Sequence, residues 1–206
     1  GHRDEAVKHY ETALRINPTH AGIYNNLGNL YKTMGRADEA ASHFQQALRL
    51  NPNLVEAHNN LGTILASQGR LYEALACFQN ALRIDPLSAM AHSNLGNLLK
   101  NMGRSAEAEA CCKQALRLNP RLPDAHNNLG TILIDQARLD EALAHFQEAL
   151  RLKPSFFQAY NNMGNVYTRQ GKHDEALACF QEALRLDAHN AIAHSNLLFL
   201  LCYRSD

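Results

Sequence analysis

No excess of either charge marks this chain. Twenty lysines and arginines balance 20 aspartates and glutamates over 206 residues, so the net charge is zero with histidine neutral. A duplex-binding surface carries a basic excess, and its absence sets nucleic acid aside as a partner. No apolar run reaches the length a bilayer demands; the stretch from Leu197 to Tyr203 is apolar but too short. No signal peptide is visible, although a targeting segment could precede residue 1. The five cysteines (Cys77, Cys111, Cys112, Cys179, Cys202) form no CxxC pair, and their odd number argues against a disulfide framework. A reducing, intracellular compartment suits them, cytoplasmic or nuclear. Also missing are a Gly-rich phosphate loop, paired catalytic carboxylates, HExxH and GxSxG. Catalysis, cofactors and metals are therefore not expected of this chain; a longer parent protein is a separate question.

What is present is a period. The stretch beginning at Tyr24 (Tyr-Asn-Asn-Leu-Gly-Asn) returns with small changes at His58, His92, His126, Tyr160 and His194, always 34 residues later. Proline keeps the same beat at Pro18, Pro52, Pro86, Pro120 and Pro154, with Ala188 in the sixth slot. A strict period of this length belongs to helix-turn-helix solenoids, in which each unit needs its neighbours to bury its apolar face.

Within residues 21–54, Leu27, Leu30 and Tyr31 at helical spacing predict a first helix from about Gly22 to Met34. Gly35-Arg36 makes the turn, since glycine at a helix end adopts the left-handed conformation. A second helix is expected from about Ala37 to Asn51, with Ala40, Phe44, Ala47 and Leu48 on its apolar side. Pro52 then stops it, because proline bars the preceding residue from helical geometry. Glycine also recurs inside the first helix at Gly28, Gly62, Gly96, Gly130 and Gly164, where each costs roughly 1 kcal/mol against alanine. Repetition of that cost implies close approach of the partner helix. The small residues Ala40, Ala74, Ala108, Ala142 and Ala176 permit it, and Phe44, Phe78, Phe146 and Phe180 fill the space beside the crossing. Cys112 takes that slot in the third unit and should pack less tightly.

Small residues at Gly28 and Ala40, an aromatic at Phe44, then Ala47 and Pro52 resemble the tetratricopeptide signature. The resemblance covers the whole chain and implies an all-α, right-handed superhelical solenoid of antiparallel helix pairs. As one domain over residues 1–206, it would comprise an orphan second helix (1–20), five full repeats (21–54, 55–88, 89–122, 123–156, 157–190) and a terminal helix (191–206). In such arrays the first helices face the concave side, which implies that Gly22, Asn25, Asn26, Asn29, Lys32 and Thr33 line a groove.

Along that groove Asn26 is followed in register by Asn60, Asn94, Asn128, Asn162 and Asn196. Asn25, Asn59, Asn127 and Asn161 stand one position earlier, with Ser93 and Ser195 in the remaining units. A side-chain amide offers a donor and an acceptor, and a peptide backbone offers the complementary pair. Helices packed roughly 8–10 Å apart would meet about every third residue of an extended chain that advances about 3.3 Å per residue. Two roles stay open at this point: gripping a partner's main chain, and bracing the neighbouring helix. The uninterrupted ladder is similar to the non-catalytic repeat region of O-GlcNAc transferases, as is the segment Ala193-His194-Ser195-Asn196-Leu197-Leu198-Phe199 to the junction where their repeats end. That resemblance implies an arm that recruits protein substrates; the alternative is a free-standing adaptor or scaffold for a folded partner. A carboxylate clamp for chaperone tails is disfavoured, since Asn25, Asn59, Ser93 and Asn127 stand where it needs lysine or arginine. Lys32, Lys100 and Arg169 are opposed by Glu56, Asp124 and Asp135.

Two further columns have blander readings. His58, His92, His126 and His194 are expected to be partly buried packing residues, since equivalent positions lie about a helix diameter apart, too far to share a metal. The same distance separates His43, Cys77, Cys111, His145 and Cys179. For the vicinal pair, a buried Cys112 beside a surface Cys111 is favoured over a disulfide. Both ends read as uncapped, with Val7, Tyr10 and Leu14 open on the first helix and Leu197, Leu198, Leu200 and Leu201 on the last. Self-association through these ends is one expectation that follows.

Overall fold

The computed structural model describes residues 2–203. Among them it contains twelve α-helices and no strand. Gly1 and the residues from Arg204 to Asp206, at the tips of the expected first and last segments, lie outside the described residues. The chain divides into two compact units, Gly1–Met102 and Gly103–Asp206. The first holds α1 (His2–Ile16), α2 (Ala21–Thr33), α3 (Ala37–Leu50), α4 (Val55–Ser67), α5 (Leu71–Ile84) and α6 (Ala89–Asn101). The second holds α7 (Ser105–Leu118), α8 (Pro123–Asp135), α9 (Leu139–Leu152), α10 (Phe157–Arg169), α11 (His173–Leu186) and α12 (Ala191–Tyr203). The two helices expected within residues 21–54 are found within one residue of their expected ends. Within each unit the helices form hairpins that stack in chain order, an all-α helical repeat fold.

The tight turns between α2 and α3, α4 and α5, α8 and α9, and α10 and α11 are Schellman motifs. Arg36 N–H donates to Tyr31 O at 3.0 Å and Gly35 N–H to Lys32 O at 3.1 Å, with Gly35 at φ +74°. Arg70, Arg138 and Lys172 repeat the long bond onto Leu65, Leu133 and Tyr167. Ala137 stands in the glycine slot of the turn between α8 and α9 and still adopts φ +59°, so the repeat geometry overrides its side chain. The turn between hairpins works differently. Asn51 and Asp85 are extended, as a residue before proline must be, and their Oδ1 atoms each accept from the N–H two residues on at 3.0 Å.

Small and large residues interlock in the core as the period requires. Ala40, Ala74, Ala142 and Ala176 are fully buried beside Phe44, Phe78, Phe146 and Phe180. A Cβ placed on Gly28, Gly62, Gly130 or Gly164 would lie 2.5–2.8 Å from the nearest carbon of the facing phenylalanine ring. Only glycine lets these helices come so close. Cys112 is fully buried, and burial pushes its thiol up to about 12.

The ends differ in part from expectation. Val7, Tyr10 and Leu14 are half-buried, and α1 has no buried residue. At the other end Leu200 is fully buried against Ala176 and Phe180, so it belongs to the core and not to an open face. The repeat register shows why: Leu200 falls in the inward stripe of Leu30 and Leu98, and only its neighbours point outward. Exposed on α12 are Ile192, Leu198, Phe199 and Leu201. No described helix is long and apolar enough to cross a membrane.

Candidate functional site: the amide face of the first helices

In the first unit α2, α4 and α6 carry the asparagine columns; in the second, α8, α10 and α12 do. The two columns separate sharply. Asn25, Asn59 and Asn161 are buried, at 8%, 6% and 9% exposure, and Ser93 is buried with them; Asn127 is half-buried. Asn26 is exposed, and Asn60, Asn94, Asn128, Asn162 and Asn196 are half-buried. The earlier column therefore lies inside, where α-helix periodicity carries it about 100° round from the later one. Sequence reasoning had placed both on the open side.

The columns are joined across repeats. Asn94 Nδ2 donates to Asn59 Oδ1 at 2.9 Å, Asn162 Nδ2 to Asn127 Oδ1 at 3.0 Å, and Asn196 Nδ2 to Asn161 Oδ1 at 3.0 Å. Each of these three outer amides thus spends one of its two N–H donors on the preceding repeat. It keeps the other donor and its carbonyl oxygen. Asn25 Oδ1 is the exception: it is buried without a partner, so the rung between α2 and α4 is unclosed. Bracing and presentation are not alternatives here, because one amide has capacity for both.

Between α4 and α6 the face deepens into a cavity of about 240 Å³ lined by Thr63, Ala66, Ser67, Phe78, Asn94, Asn97, Leu98 and Asn101. No charged side chain lines it. Lys100 on α6 neighbours Asn101 in the sequence without lining the cavity, and burial lowers the pKa of Lys32, which holds the same column on α2. The corresponding face of the second unit is less uniform. Arg169 on α10 donates to Ile134 O at 3.4 Å, and Thr131 Oγ1 is turned back to Asn128 O at 2.8 Å.

The histidine column has a structural role that spacing alone did not reveal. Nε2 of His58, His92 and His126 lies 2.9–3.0 Å from the carbonyl oxygens of Pro52, Pro86 and Pro120, and His194 Nε2 lies 3.0 Å from Ala188 O. Nε2 carries the proton, since a carbonyl can only accept, and each ring ties its helix to the preceding inter-hairpin turn. The visible signal was proline or alanine followed six residues later by histidine. The second column meets the first within a hairpin: His126 Nδ1 and His145 Nδ1 are 2.9 Å apart, and Tyr24 stacks over His43. With His126 protonated at Nε2, His145 must be the donor of that bond. Desolvation first, then the neighbouring His126, lowers the pKa of His145. Among the described residues no group of three or more His, Cys, Asp or Glu side chains could hold a metal ion. The cysteines of these columns are free thiols, Cys111 half-buried and Cys112 buried, and burial pushes Cys77 and Cys179 up to about 11.

Solved structures repeat this architecture. The Cut9-Hcn1 hetero-tetramer of the APC/C contains a chain similar over 99% of this one, with a TM-score of 0.92 and 19% identity. This chain spans 41% of that one. TTC0263 of Thermus thermophilus, a TPR protein, matches 88% of this chain and 99% of its own with a TM-score of 0.78 and 23% identity. YrrB, described as a TPR protein with an unusual peptide-binding site, matches over 90% and 96% with a TM-score of 0.58 and 24% identity. Identities this low establish the fold and no more. No curated protein matches the sequence. Residues 1–196 do match the family model of the cilia and flagella-associated protein 70 C-terminal domain, a tetratricopeptide domain, and the chain belongs to that family.

Proposed function

We propose that this chain is a protein-interaction module whose outer asparagines, Asn26, Asn60, Asn94, Asn128, Asn162 and Asn196, hold the main chain of an extended partner segment. The observation that carries the proposal is the divided amide: Asn94 is anchored to Asn59 through one N–H and keeps a carbonyl and a second N–H at the surface. Anchoring fixes the side chain before the partner arrives, which lowers the ordering cost of each contact. Net hydrogen bonds of this type contribute about 0.5–1.5 kcal/mol each, so affinity comes from several rungs and side-chain preference is modest. Asn59, Asn127 and Asn161 act as braces and leave direct contact to the outer column, while Asn25 Oδ1 is buried without a partner.

Two settings fit such a module. Family membership favours an adaptor within a larger protein assembly. The segment from Ala193 to Phe199, similar to the junction after O-GlcNAc-transferase repeats, favours a substrate-recruiting arm. Both use the same face. To test it, a phage-displayed library of 12-residue peptides is panned against the purified chain, and the selected peptides are measured against two variants. One is Asn60→Ala, Asn94→Ala and Asn128→Ala combined; the other is Asn59→Ala alone, which frees Asn94 from its anchor but keeps every outer amide in place. Loss of binding in the triple variant with only a partial weakening in Asn59→Ala is the expected result. Equal affinity for the triple variant and the parent would sink the proposal.

A further inference from the structure

Resting on the proposed peptide-binding face, a second level of selectivity can be read from the cavity between α4 and α6. We propose that it is a side-chain subsite for a primary amide, so that partner segments carry glutamine or asparagine at the position over it.

The hydrogen-bond inventory of the lining decides this. Thr63 Oγ1 donates to Asn59 O at 2.9 Å, and Ser67 Oγ donates to Ile64 O at 2.7 Å. Both hydroxyl protons are thereby spent inside α4, and both oxygens can only accept from a guest. Asn94 Nδ2 has given one N–H to Asn59 Oδ1, which leaves its carbonyl and a single N–H. Asn97 and Asn101 are exposed on the same stripe of α6, with no protein partner for either amide. The rim is therefore rich in acceptors, with a smaller number of amide donors, and carries no charge. Ala66, Leu98 and Phe78 supply an apolar wall for the aliphatic part of a side chain.

A primary amide is the guest that satisfies this set. Its two N–H groups meet the hydroxyl and carbonyl oxygens, and its own oxygen meets an amide N–H of Asn97 or Asn101. A carboxylate has no donor for Thr63, Ser67 or Asn94 Oδ1, and no cation lines the cavity to offset its desolvation. An ammonium or guanidinium finds acceptors but no anion, and leaves the amide N–H groups unmet. An aliphatic side chain fills the wall and strands the rim. Sites built to hydrogen-bond a polar group reject a guest lacking it far more strongly than apolar pockets reject a wrong size.

The test uses the peptides selected from the same displayed library. Aligned winners should share glutamine or asparagine at one fixed position. Changing that residue to glutamate or to lysine in a synthetic peptide should weaken binding at least tenfold. The Asn97→Ala, Asn101→Ala double variant should lose that discrimination while still binding, since the outer asparagine rungs remain. Circular dichroism of the variant confirms the fold; both positions are exposed and unpaired, so no loss of stability is expected. Winners that depend on Asn60, Asn94 and Asn128 but show no amide at a fixed place overturn the subsite and leave the ladder standing. Winners with a fixed acidic, basic or aromatic residue at that place overturn it as well. A library that yields no binder at all overturns both.

Discussion

Gly164→Ala sets two effects of opposite sign against each other at one atom. Helix propensity favours the change by about 1 kcal/mol, because alanine loses less backbone freedom than glycine in a helix interior. Packing opposes it. The new Cβ would lie 2.5 Å from Phe180 Cε1 and 2.8 Å from Cδ1 and Cζ, nearly an ångström inside ordinary contact. Phe180 is 1% exposed and closed in by Ala176 and Leu200, with Tyr167, Leu177 and Leu197 behind them, so its ring has no room to retreat. Overpacking of one methyl into a filled core costs about 1–3 kcal/mol. The net expectation is a loss of about 1–2 kcal/mol, taking a cost in the upper part of that range because a rigid ring faces the methyl. Urea unfolding followed by far-ultraviolet circular dichroism reads it as a lowered midpoint at unchanged slope. Adding Phe180→Leu to the variant should recover part of the loss, and the double-mutant cycle should show coupling of about 1 kcal/mol or more. If Gly164→Ala instead stabilises the chain by the propensity increment alone, the close-approach account of the repeated glycine is wrong.

Ala137→Gly should move stability the other way, by about 1 kcal/mol, because it relieves a side chain held at φ +59°; a lowered thermal midpoint would contradict this. Burial depresses the pKa of His43 and His145, so their unfolded forms bind protons first as pH falls. Stability is complete above the ordinary histidine value near 6.5 and declines below it, and His145→Phe should flatten that slope in pH-dependent melting. Glu109 is pulled down to about 2 by Lys113, then Gln136 and Arg138, so its contribution is present above about 4.5 and is lost as pH falls toward 2. Glu109→Gln should remove that acid-side loss in the same melts. Fully buried Cys112 should resist thiol-specific reagents in the folded chain while exposed Cys202 reacts; simultaneous labelling of both would refute the packing at the third repeat.

Much of the fold was written in single residue types. Gly35 and Pro52 fix where hairpins turn because each imposes a backbone state that neighbours cannot cancel, and the helices fall within a residue of their signals. Leu200 was misread for a related reason: a run of leucines carries no polar residue to mark its outward side, so periodicity inside it is invisible. The histidine staples escaped notice because a column of equal residues invites comparison along the column. The bond that matters runs backward to a proline carbonyl, an atom no side-chain pattern displays.

The candidate site exposes the same limit in its sharpest form. Asn25 and Asn26 are chemically identical neighbours, and sequence gives no ground for treating them differently. About 100° of helical rotation buries one and makes the other a surface amide. Their union through bonds such as Asn94 to Asn59 explains why asparagine, and not serine or lysine, suits the outer position. Serine has a single proton, so bracing would leave its hydroxyl with acceptor capacity alone. Lysine has donors but no acceptor, and a partner backbone needs both. Glutamine has the same inventory on a longer stem with an extra rotor, and it loses more side-chain entropy when fixed. Asn94→Gln should therefore retain binding but weaken it several-fold, whereas Asn94→Ser should lose the rung. Equal affinity of the serine and glutamine variants for a selected peptide would mean that the rung's remaining donor does not touch the partner.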